Sequence, residues 1–175
     1  MMAAYFSAER TLNGLLGMLR RCGAPAVIAL LALCSLGASA ETADRGAAVA
    51  AAEAAARGVM ADFLEAFNAR DEEAWADTLV FPHVRLASQT VTVYPDRAAF
   101  VAAMDLEAFA RDNDWDYSSW DDMRVVQASP DKVHIAVKFS RFRPDGSLIA
   151  SFDSLYVIER VDGHWGVRAR SSFAP

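Results

Sequence analysis

The stretch LYVIERVDGHWGVRARSSF, Leu155 to Phe173, decides how the C-terminal half of the chain is read. Val161-Asp162-Gly163 signals a chain reversal, because glycine supplies the left-handed backbone that a tight corner needs. Apolar and polar residues alternate on either side of it, which is the pattern of a half-buried strand whose side chains point to opposite faces. Beyond the corner, Trp165, Val167, Ala169, Ser171 and Phe173 share one face, while Arg168, Arg170 and Ser172 share the other. A hairpin with one dry face and one charged face is predicted.

Two more corners lie upstream, Ser129-Pro130-Asp131 and Pro144-Asp145-Gly146. Proline presets the first central position of a turn, and glycine fits the bulge that often follows it. Four strands in a meander are therefore expected from Trp115 onward. Three-residue loops would pair Arg143 with Ser147 and Arg160 with His164. In that register the sheltered face collects Val133, Ile135, Val137, Phe139 and Arg141. It then takes Ile149, Ser151, Asp153, Leu155 and Val157, and finally Trp165, Val167, Ala169 and Ser171. A two-residue loop at either glycine corner would move every side chain of the next strand to the other face. That alternative buries Phe152, Tyr156 and Ile158.

Ahead of the meander, Met60, Phe63, Leu64 and Phe67 recur at helical spacing. Asp71 is placed to cap a second helix, EEAWADTLV, and Asp96 a third that contains Phe100, Val101, Met104 and Phe109. Between these helices HVRLASQTVTVY reads as two short strands around Ser88-Gln89. Residues 41–57 are alanine-rich, either an extension of the first helix or a tether, and residues 58–175 are expected to form the domain.

Arg20 and Arg21 precede the apolar run Ala24 to Leu36, and Ala38-Ser39-Ala40 has the small-x-small pattern of a signal-peptidase site. Residues 1–40 are accordingly expected to be a signal peptide, with a periplasmic or secreted bacterial product and no stable membrane span after cleavage. Both cysteines, Cys22 and Cys34, fall inside this leader. The remainder can use neither a disulfide nor a thiol nucleophile. The whole chain has 23 acidic and 17 basic residues, a formal charge of −6. Nucleic acid is excluded as an expected partner, since a duplex-binding surface needs a basic surplus.

Three helices, a short hairpin and a meander ending in D-G-x-W form an order that resembles the nuclear transport factor 2-like superfamily, in its SnoaL-like and steroid delta-isomerase-like branch. The pieces FLEAFNARDEEAW, KVHIAVKFSRFRPDG and LYVIERVDGHWGVRARSSF carry the likeness, from about Val59 to Phe173. The resemblance implies an α+β, cone-shaped fold with three N-terminal helices packed on a curved, mostly antiparallel sheet around an apolar pocket. It also implies that the convex sheet face, with Arg168 and Arg170, is either solvated or an interface in a homodimer.

Relatives that act as isomerases or dehydratases carry a proton on a carboxylate or histidine in this pocket, where burial raises a carboxylate pKa. Asp153, and then Asp121, are the candidate catalytic acids. His83, Tyr117, Arg141, Trp165 and Ser171 are the candidate ligand-binding residues for a small apolar molecule. No metal site or cofactor is expected, because His83, His134 and His164 lack ligand spacing. The tyrosine that steroid isomerases place on the first helix is missing, with Phe63 and Phe67 in its stead, so no reaction follows from the likeness.

Overall fold

The computed structural model describes residues 24–87 and 89–175, with side chains from residue 42 onward. The whole of the expected leader, residues 1–40, and its cleavage site lie outside the residues whose side chains are described. Two contact units divide the chain, Met1–Gly46 and Ala47–Pro175, and the architecture below is that of the second. Among the described residues no helix is long and apolar enough to cross a membrane.

Helix α1, Ala24–Ala69, enters this unit and buries Ala52, Ala56, Met60, Phe63 and Ala66 along one stripe. The i, i+4 and i, i+3 spacing of these residues is what lays them on one face. Within the alanine-rich stretch, Ala52 and Ala56 reach the core. The helix stops where Arg70 turns left-handed at φ 57° and the Asp71 N–H donates to the Ala66 carbonyl at 3.1 Å. Asp71 then caps α2, Glu72–Asp77, accepting from the Ala74 N–H at 2.9 Å. The expected third helix is two: α3, Arg97–Ala102, and α4, Leu106–Asn113. Asp96 and Asp105 cap them in turn, so a second capping aspartate inside the predicted helix is what divides it.

Six strands form one sheet in the order β2-β1-β6-β5-β4-β3. They span Leu79–Ala87 (β1), Thr90–Tyr94 (β2), Tyr117–Ser129 (β3), Lys132–Phe142 (β4), Leu148–Val161 (β5) and His164–Ser172 (β6). All neighbours run antiparallel except β1 and β6, which are parallel. Helices cover the inner face. Asn68 ties α1 to β3 by exchanging two 2.9 Å hydrogen bonds with the Ser118 backbone, and the Trp120 indole donates to the Met60 carbonyl.

The corner at Gly146 has the expected three-residue loop, with the Arg143 N–H donating to the Ser147 carbonyl at 2.9 Å. The corner at Gly163 does not: Val161 pairs with His164 across two residues, Asp162 and Gly163, both at positive φ. Two bulges complete the parity. Ile149 is an extra residue between the pairs Phe142–Leu148 and Arg141–Ala150, and it turns the rest of β5 over. Phe152, Ser154, Tyr156 and Ile158 therefore face inward. The shorter second corner restores Trp165 and Val167 to the inner side. Arg168 is then the extra residue of β6, so Arg170 and Ser172 point inward instead of Ala169 and Ser171.

Candidate functional site

Between the helices and the inner sheet face lies a cavity of about 250 Å³. Its helical wall is aromatic because each short helix contributes a ring: Phe63 and Phe67 from α1, Trp75 from α2, Phe100 from α3 and Phe109 from α4. These rings meet edge-on or tilted, with Trp75 5.4 Å from Phe63, 4.9 Å from Phe67 and 5.0 Å from Phe100 between centroids. Such geometry suits the ring quadrupoles and fixes the wall.

The sheet wall is polar. His83 and Arg85 come from β1, Tyr94 from β2, Arg141 from β4 and Arg170 from β6. His83 and Arg85 share a face because they are two residues apart on one strand. The buried His83 Nδ1 donates to the Val167 carbonyl at 2.9 Å, and its ring stacks on Tyr94. That hydrogen bond leaves Nε2 with the lone pair. Burial, helped by the positive charges of Arg170, Arg168 and Arg85 and opposed by the bond to Val167, lowers the His83 pKa from its ordinary 6.5 to about 4. The ring is neutral at pH 7.

A stability slope follows from this shift. The unfolded chain binds a proton near pH 6.5 and the folded one only near 4, so acidification across that window favours unfolding. The native state is expected to lose up to about 3 kcal/mol between pH 6.5 and 4 at His83. Urea unfolding of wild type and His83→Gln across this range checks it; equal slopes in both would refute the assignment.

Arg141 was expected on the sheltered face and lies there, with its guanidinium over Phe109, Phe152 and Phe139 at 5.0, 5.4 and 5.7 Å. Burial first, then Arg170 and Arg85, lowers its pKa to about 10. Arg170 lies over Tyr156 and Phe139 at 5.6 and 5.7 Å and donates to the Ser172 hydroxyl at 3.2 Å.

Asp153 does not face the cavity. The Ile149 bulge sets it opposite Lys138 on the outer side, where it is exposed along a shallow groove with Ser171 and Leu155. Asp121 is itself the extra residue of a bulge in β3, exposed, and accepts from the outward Ser140 hydroxyl at 2.6 Å. Tyr117 is 39% exposed and stacks on Phe142 away from the cavity. Trp165 is half-buried under Arg160 at the edge of the core. Ser171 faces out for the same reason that Arg170 faces in. Of the seven candidates, His83 and Arg141 line the cavity.

Arg85, Arg170 and the aromatic wall were not singled out as site residues. Arg85 was legible, since it has the parity of His83; Arg170 was hidden by the bulge at Arg168. Asp105 is the one acidic side chain lining the cavity among the described residues, and its Oδ1 already accepts from the Ala108 N–H at 2.7 Å; the C-terminal residue Pro175 lines the cavity too. No group of three or more His, Cys, Asp and Glu among the described residues is arranged to hold a metal ion.

A family model described as NTF2-like protein (DUF6841) matches residues 52–172. Among solved structures the fold is similar to an NTF2-like protein with a cystatin-like fold from Novosphingobium aromaticivorans, at 14% identity over 81% of this chain and 88% of that one, TM-score 0.57. It is similar too to an NTF2-like protein of unknown function from Pseudomonas putida KT2440, at 17% identity over 72% and 88%, TM-score 0.58. A Catenulispora acidiphila protein solved in complex with S-DNPA is 19% identical over 71% and 93%, TM-score 0.56. At these identities the likeness is one of fold. No curated protein matches the chain.

Proposed function

The chain belongs to the NTF2-like family DUF6841, and from that premise we propose that it is an exported domain that binds a small, largely apolar molecule beneath its sheet. The observation that carries this reading is the cavity of about 250 Å³ whose helical wall is a set of interlocked rings. Preformed concave sites with aromatic walls and a few convergent polar groups are the usual makeup of small-molecule pockets. The Catenulispora neighbour, a protein of similar fold, was solved in complex with S-DNPA. Binding is favoured over proton transfer because Asp153 and Asp121 lie outside and His83 is too weak a base at neutral pH.

A thermal-shift screen of one- and two-ring metabolites tests it. A ligand at a hundred times its Kd should stabilise the native state by about 2.7 kcal/mol. Ala103→Trp, which puts an indole at an exposed position on the cavity wall, should remove that shift. No shift from any compound would overturn the reading.

Export rests on the leader pattern of residues 1–40, and intact mass of the protein from its host, beginning at Glu41, would bear it out. The outer sheet face supports a homodimer: Leu86, Val91, Val93 and Leu155 are 40–65% exposed there, and apolar patches of this kind mark association surfaces. Sedimentation of wild type against Leu86→Asp distinguishes a dimer that dissociates from a monomer throughout.

A further inference from the structure

Three arginines meet at the cavity, and neither Asp105 nor the C-terminal residue Pro175, which line it with them, forms an ion pair with any of the three. Arg85 stands beside Arg170 in the parallel register of β1 and β6, while Arg141 and Arg170 share the ring of Phe139, each 5.7 Å from its centroid. None of the three belongs to an ion pair among the described residues, where eight such contacts occupy other groups. Arg141 and Arg170 are 7% and 8% exposed, and the Nε of each is buried without a hydrogen-bond partner. The chain has 23 acidic residues to draw on.

A buried, unpaired guanidinium is costly, and two more like charges nearby add to the cost. Arg141 and Arg85 accordingly have lowered pKa values, with burial the main cause and Arg170 the next in both. The aromatic faces beneath Arg141 and Arg170 attract cations but cannot accept the in-plane N–H bonds of the guanidinium fork. That fork matches a planar carboxylate in a two-point grip.

Resting on the small-molecule reading above, we propose that the ligand is an organic acid with a flat apolar body. Its anionic head sits between Arg141 and Arg170, with Arg85 adding attraction from the β1 side. Its body lies against Phe67, Trp75 and Phe109. The two halves of the wall thus select the two ends of one molecule.

Calorimetric titration with 2-naphthoate and its neutral isostere 2-naphthamide separates this proposal from the reading beneath it. The wild type should bind naphthoate roughly ten- to a hundredfold tighter, the range of hydrogen bonds to a charged partner. Arg141→Met and Arg170→Met should bring the two probes within about twofold of each other while naphthamide still binds. Asp153→Asn, on the outer face, should keep the full preference. If either methionine variant does not fold, Arg85→Gln, at a half-buried position, is expected to shrink the preference in its place. Equal wild-type affinity for both probes would overturn the anionic head and leave the apolar pocket standing. Failure of both probes to bind would overturn the pocket as well.

Discussion

Gly166→Ala is expected to lower the melting temperature of the domain by roughly 10 °C or more. A Cβ built there meets the Leu79 carbonyl carbon at 2.7 Å, the Leu79 oxygen at 2.9 Å and the Thr78 oxygen at 3.0 Å. All three are backbone atoms, so no rotamer change can relieve the contact. The neighbouring Val167 N–H donates to the Thr78 carbonyl at 2.9 Å, which holds β1 to β6 at the point where their parallel pairing begins. Moving β1 away would break that bond and loosen the Val167 carbonyl that orients His83. A cost of about 3 kcal/mol or more is expected for overpacking against fixed backbone. Gly58→Ala is the matched control: nothing lies within 4 Å of its added Cβ, and it sits inside α1. Removing a glycine from a helix interior should stabilise by about 0.5–1 kcal/mol. Thermal unfolding of both variants checks the pair, and a Gly166→Ala protein as stable as wild type would show that β1 does not approach this closely.

Arg141→Met should move the melting temperature the other way. The drop of the Arg141 pKa from its ordinary value to about 10 corresponds to roughly 3 kcal/mol of destabilisation of the charged form at pH 7. Attraction to the three rings opposes this cost, each such contact being worth about 0.5–2 kcal/mol and least where the ring is off-centre. Methionine keeps most of the side-chain volume and sits well against aromatic rings. With the ring contacts at the low end of their range, a net gain of about 1.5 kcal/mol is expected, or roughly 4 °C for a domain of this size. The same substitution should erase selection for an acidic ligand, so stability and ligand choice move in opposite directions. A lower melting temperature would mean that the guanidinium contributes more to packing than it loses to burial.

The meander, the capping roles of Asp71 and Asp96, and the inner row of β4 were all legible, because each depends on residues close in sequence. Val133, Ile135, Val137 and Phe139 face the core as their alternation requires. The nuclear transport factor 2-like resemblance holds for the fold and for the family. What misled the reading of β5 and β6 was parity. Alternation tells which residues share a face but not where an extra residue slips in, and neither Ile149 nor Arg168 has a side chain that announces a bulge. The apolar residues Phe152, Tyr156 and Ile158 did signal the actual facing of β5. Turn chemistry at Gly163 pointed elsewhere, although Asp-Gly is equally at home in the two-residue corner that forms. Arg170 was consequently assigned to the outside, and Asp153 to the inside.

The bulge at Ile149 means that this pocket can be re-equipped by a change of length alone. One residue inserted after Ala150 would rotate the strand beyond it by half a turn, sending Tyr156 and Phe152 out and bringing Asp153 in opposite Val137, beside the Ser172 hydroxyl to which Arg170 donates. An insertion at this spot would thus give the proposed receptor for acids a carboxylate of its own to compete with them, without a single substitution among the residues that line it.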